Sequence, residues 1–206
     1  MTEPGPINAA PTTRVTAAQA GISRQLGLLL PIAVLVAIGS LCVALADAAN
    51  RGSNGPGQTF FWIGIVIIVI PVATRLCSVD ATRLERVGLI VLFGLALYLT
   101  KVTYSPSRLP FSDEFVEFRT VVDILGTGGM FHFNPLLPVS SSYPGLPGLT
   151  AGLVQLTGLS VSSAAIIVIG SARIVLMLAI FATVDRLSGS PRLAGLAACL
   201  YAANPI

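Results

Sequence analysis

Charged residues are scarce in this chain, at 10% of 206 residues against 54% hydrophobic. Together with a mean hydropathy of +0.85, that scarcity excludes an ordinary soluble domain and points to a multi-span membrane protein. There is no Lys/Arg run and no basic stretch interleaved with aromatics. The twelve basic residues are scattered between apolar blocks and the net charge is only +3, which argues against nucleic acid as a partner. Cysteine is limited to Cys42, Cys77 and Cys199. That odd number, without a CxxC or Cys/His spacing, gives neither a disulfide framework nor a metal site, and the three read as small packing residues. The single histidine, His132 in MFHFNPLLP, needs carboxylate help to hold a metal and reads as a loop or interface residue.

Long apolar runs are what the chain does have. Residues 1–25 are rich in Pro, Ala and Thr without apolar periodicity and read as a disordered tail. Leu26–Ala46 then supplies 21 uncharged residues, enough to cross a ~30 Å hydrocarbon core at ~1.5 Å per residue. A second span is expected over 57–74, with Phe60, Phe61 and Trp62 at the depth of an interfacial aromatic belt. A third is expected over 87–104, where Lys101 can snorkel, and a fourth over 161–184. The final block, 193–206, has only 14 residues and reaches about 21 Å, too little to cross, so it reads as a half-span or as the start of a further portion of a longer protein.

Orientation follows from the arginines. Arg14 and Arg24 in the tail, and Arg75, Arg83 and Arg86 between spans two and three, place the N-terminus and that loop in the cytoplasm, as expected for a multi-pass protein of the plasma (inner) membrane. Three crossings then put 105–160 outside. If Pro144–Ser160 also crossed, Arg186 and Arg192 would fall outside too. Its Gly/Pro/Thr content and short length favour an interfacial helix instead. The expected fold class is therefore all-α: a polytopic transmembrane helical bundle, residues 26–206, whose external loop carries amphipathic or interfacial helices.

That loop gathers Asp113, Glu114, Glu117 and Asp123, four of the nine acidic residues. Phe115, Phe118, Val121, Val122 and Leu125 recur at helical spacing around them, which predicts an amphipathic helix. Ser112 or Asp113 would be its N-cap, first-turn carboxylates would suit the helix dipole, and Arg119 could pair with Asp123 at i, i+4. On one reading the acids only start and solubilise an external helix. On the other, Asp113 and Glu114 sit at the mouth of the membrane where lipid-linked donors present their headgroups. A carboxylate there could act as general base toward an acceptor hydroxyl.

Arg173, flanked by apolar neighbours in SARIVLML, is costly by about 2.5–3.5 kcal/mol on insertion scales at a helix centre. It either snorkels to a headgroup, or belongs to a span that starts later, or faces the interior, water or an anion, and its forked donors suit a phosphate. Tyr143-Pro144-Gly145-Leu146-Pro147 forms a rigid turn before the next helix. Arg173, Tyr143 and Arg119 are the substrate-binding candidates. No metal ligand set is expected, although a divalent cation remains possible as a cofactor.

The order of these pieces, FSDEF, LGTGGMF, NPLLPVSSSYPGLPGL, LTGLS, SARIVLML and LAGLAACLYAANP, resembles the N-terminal part of the GT-C membrane glycosyltransferases. The protein O-mannosyltransferase and aminoarabinose transferase type is the nearest, with its actinobacterial multi-span members. The resemblance covers about residues 87–206. It implies Asp113 as the base with Glu114 beside it, Arg173 as an arginine early in the following span, and a polyprenyl-phosphate-linked sugar as donor to an envelope hydroxyl. It also implies eight or more spans in a complete enzyme. The family commonly has a basic or polar residue before Pro-Pro ahead of the interfacial helix; here the run is Tyr143-Pro144-Gly145-Leu146-Pro147, and the missing basic residue removes one expected phosphate contact. A non-enzymatic membrane protein, either a degenerate remnant or an assembly partner for another membrane protein, remains the competing expectation.

Overall fold

The computed structural model describes residues 25–52, 57–104, 112–131, 133–135 and 138–204, without the side chains of Arg51, Gly52, Tyr104, Ser112, Asp113, Glu114 and Ser141. The tail 1–24 and His132 lie outside the described residues. Among the described residues the chain is all-helical, with seven α-helices and no strand. They are α1 (Leu29–Gly52), α2 (Gly57–Cys77), α3 (Arg83–Tyr104), α4 (Ser112–Thr127), α5 (Gly145–Thr157), α6 (Val161–Ser188) and α7 (Pro191–Ala203), with a 3₁₀ turn at Pro138–Ser142.

Four of these, α1, α2, α3 and α6, are long and apolar enough to cross a membrane. Only 17 to 39% of each candidate span is buried within the protein. The large side chains Leu30, Leu41, Trp62, Ile70 and Val175 point outward, an arrangement that suits a hydrocarbon surrounding. α3 begins at Arg83, four residues before the apolar run starts, because Thr82 caps it. The Thr82 hydroxyl accepts from the Glu85 N–H at 3.1 Å, and the Thr82 N–H donates to the Glu85 carboxylate at 3.3 Å. This is a reciprocal capping box.

In lipid, helices gain nothing from hiding apolar surface, so they associate where backbones approach closely. α1 and α2 do so at a pair of glycines. A Cβ on Gly64 would stand 2.7 Å from the Gly39 carbonyl oxygen, and one on Gly39 would stand 2.8 Å from that of Gly64. α3 and α6 run antiparallel, fixed at three levels. Arg83 pairs with Asp185 at 2.7 Å, Gly94 faces Met177, and the Tyr98 hydroxyl donates to the Ile166 carbonyl at 2.7 Å while its ring covers Gly170.

Gly189 ends α6 in the left-handed conformation, φ 63°, and Ser190 caps α7 one residue later. α7 lays Ala194, Ala198 and Ala202, a stripe of small residues at four-residue spacing, into the core beside Leu76, Phe93 and Phe181. Cys42 and Cys199 are half-buried as packing residues would be, but Cys77 at the end of α2 is exposed. A separate small cluster joins α4 to α5 through Val121, Ile124 and Ala151, with Leu125 and Val161 against them.

Residues 25–28, the α2–α3 connection and the α6–α7 connection thus gather at one end of the helices. The end of α3, α4, α5 and the start of α6 gather at the other. We refer to these as the basic and acidic ends.

Candidate functional site

α4 spans Ser112–Thr127, and the side chains of Ser112 and Asp113, the expected N-caps, lie outside the described residues. The backbone of Asp113 and Glu114 is therefore helical, in the turn where carboxylates are stabilised by the helix dipole; their side chains lie outside the described residues. By register the two positions precede Glu117 by four and three residues, and so fall on its face of the helix.

From Thr120 onward that face turns inward. Thr120 and Val121 are each 3% exposed and Ile124 is 6%, while Glu117 is half-buried with Oε2 shielded from solvent. The Asn134 amide, 1% exposed, donates to the Thr120 hydroxyl at 3.1 Å and to the Val116 carbonyl at 3.4 Å. This corrects the simple amphipathic reading. Of the expected apolar stripe, Val121 is buried and Leu125 half-buried, whereas Phe115, Phe118 and Val122 are exposed. The helix buries a mixed polar stripe and presents phenylalanines outward, as an element lying against lipid does.

The other candidates are placed as follows. Arg119 is on the outer face with its side chain 52% exposed, 3.9 Å from Asp123. Tyr143, just ahead of α5, is 74% exposed. Arg173 lies twelve residues into α6, about 18 Å along the axis from Val161. Its Nη2 donates to the Ala202 carbonyl at 2.7 Å, in the last turn of α7, where helix carbonyls lack intrahelical donors. Its Nε is shielded and has no hydrogen-bond partner. The guanidinium of this half-buried arginine reaches across to a neighbouring helix and uses one of its donors there. The structure therefore brings Arg119 and Tyr143 to the acidic end with α4, and leaves Arg173 part-way along α6 and half-buried. Among the described residues no group of three His, Cys, Asp or Glu could hold a metal ion.

Among the described residues the most completely built polar cluster lies at the opposite end, where Arg75 and Arg86 are markers of orientation in the sequence and Glu85 is not singled out by it. The Glu85 side chain is wholly buried. It accepts from Arg75 Nε at 2.7 Å and Nη2 at 2.9 Å, from the Leu28 N–H at 2.8 Å and from the Thr82 N–H. Gly27, at φ 50°, presses so closely on this carboxylate that any Cβ there would collide with it. Arg86, 3% exposed, donates to the Leu76 carbonyl and, at 2.6 Å, to that of Ser78. The Thr82 hydroxyl also donates to the Gln25 carbonyl at 2.5 Å. The cluster ties the chain entering α1 to the α2–α3 turn. Thr82-Arg83-Leu84-Glu85 before an apolar run was its sequence signal.

Comparison of the chain with family models, curated proteins and solved structures gives no match in any of the three.

Proposed function

We propose that the chain is a GT-C-type integral membrane glycosyltransferase, or the N-terminal portion of one. In this reading it transfers a sugar from a polyprenyl-phosphate carrier to an envelope hydroxyl at the acidic end. The observation that carries the reading is α4 itself: its first turn holds Asp113 and Glu114 at the end where α3 stops, in register with half-buried Glu117 and buried Thr120. Asp113 takes the proton of the acceptor hydroxyl as it attacks the anomeric carbon, and Glu114 assists. Arg119 and Tyr143, both exposed at the same end, supply a cation and a hydroxyl to the carrier phosphate. Arg173 receives less support as a phosphate ligand, since Ala202 engages it.

The acidic end is the extracytoplasmic one in this proposal and the N-terminus is cytoplasmic. Arg75, Arg83, Arg86, Arg186 and Arg192 all lie at the other end, and the bias of basic residues toward the cytoplasm supports that orientation in the plasma membrane.

The test is sugar transfer by the intact gene product carrying Asp113→Asn, at unchanged membrane expression. Loss of a general base lowers transfer by at least about 10²-fold, and unaltered transfer overturns the assignment. The exposed Phe115, Phe118 and Val122 favour one competing reading, a surface that docks a membrane protein partner. In that case Asp113→Asn is silent and Phe118→Ala releases the partner.

A further inference from the structure

At the basic end, on the outer surface between α3 and α6, lies an open groove of about 620 Å³. Its walls are Val87, Leu178, Phe181 and Ala182, and its rim carries Thr82 and Arg83. Leu178 lies seven residues inside Asp185, so the apolar wall descends about 10 Å from the polar rim into the span. The rim arginine is only partly committed. Arg83 Nη2 meets Asp185 at 2.7 Å, yet the arginine side chain is 66% exposed while the aspartate is 11% exposed. One carboxylate contact leaves most of the five guanidinium donors facing outward.

The surrounding charge has the same sign. Among the described residues, five arginines, Arg75, Arg83, Arg86, Arg186 and Arg192, stand at this end with three carboxylates, Asp80, Glu85 and Asp185. Arg75 and Arg86 are turned inward to Glu85 and to backbone carbonyls, so Arg83, Arg186 and Arg192 face outward with exposed Asp80 and half-buried Asp185, an outward balance that stays positive. An apolar slot one acyl segment deep, open to the bilayer and topped at headgroup level by a cation, matches the two halves of a single kind of molecule.

We propose that this groove binds one anionic phospholipid, with the upper acyl chain against Leu178, Phe181 and Ala182 and the phosphate on Arg83. The site lies at the opposite end of the helices from Asp113 and stands whether or not the chain transfers sugar.

Native mass spectrometry of the full chain, purified in detergent and offered equal phosphatidylglycerol and phosphatidylcholine, tests it. Wild-type protein retains one phosphatidylglycerol about fivefold over phosphatidylcholine, the preference expected of one interfacial arginine. Arg83→Gln removes the preference. Ala182→Trp, which fills the slot without touching a charge, removes the retained lipid with either headgroup, whereas Leu200→Trp on the exposed surface of α7 keeps it. Equal retention of the two lipids by the wild type overturns the proposal and requires no variant. Retention by Ala182→Trp at the wild-type level also overturns it. A lipid-free dimer that Ala182→Trp dissociates would assign the groove to a second copy of the chain instead.

Discussion

The two ends of the bundle use charge in opposite ways. At the basic end one buried carboxylate, Glu85, collects four donors from three separate segments. At the acidic end Arg119 and Asp123 face each other at 3.9 Å, both side chains more than 40% exposed. The first arrangement is a joint between helices, since each partner would be left uncompensated without the others. The second constrains nothing, because solvent offers either partner an equivalent interaction. Number of charges is therefore a poor guide to which end is structural; the number of donors per buried carboxylate separates them.

The comparison breaks most visibly at Glu85. Glu85→Ala leaves Arg75 facing a vacated pocket and the Leu28 and Thr82 amides without their acceptor. Stability should fall by about 3–5 kcal/mol, the usual consequence of removing one partner from a buried pair. Thermal unfolding in detergent measures it. A loss below about 1 kcal/mol would mean the basic end is no more a joint than the acidic one.

A middle case sharpens the contrast. Asn134 is as buried as Glu85 but neutral, and it holds the loop to α4 through Thr120 and Val116. Asn134→Ala should cost about 1–2 kcal/mol, the range for a lost neutral hydrogen bond that strands a buried partner. The effect should stay local. Hydrogen exchange should quicken for α4 amides and leave α2 and α3 protected, because α4 and α5 share their own small cluster and not the main core.

How much of this was legible beforehand depends on which physical signal each element carries. The long helices announce themselves through apolar run length, since a span of 18 or more such residues has few alternatives. The second span was expected over 57–74 and the helix is Gly57–Cys77; the fourth was expected over 161–184 and the helix is Val161–Ser188. α4 was legible as a helix but not as to which face is inside. The rule that apolar residues point inward presumes water outside, and Phe115 and Phe118 violate it. Arg173 was legible as unusual, yet its partner, the Ala202 carbonyl, is 29 residues away and is a backbone atom. No side-chain pattern can announce such an acceptor. The Glu85 joint was partly legible, in the capping box that starts α3, but its long-range donor at Leu28 is again a backbone amide.

Arg119 provides the smallest expected effect on stability and the finest division between the two ends. Its pair with Asp123 is long and exposed, so Arg119→Ala should change thermal stability by no more than about 0.5 kcal/mol. The same substitution has a different consequence if the acidic end works on a phosphorylated carrier. Removing a charge-assisted contact to a phosphate that persists through the reaction weakens ground state and transition state alike. KM for the lipid-linked donor should then rise about tenfold while kcat stays nearly constant. Asp113→Asn should do the reverse, lowering kcat with little change in KM, because a general base acts as the proton moves. An Arg119 variant that loses stability would show that the acidic end, too, is a joint. One that keeps stability and donor KM alike would remove Arg119 from the site and leave Tyr143 as the exposed polar group beside α5.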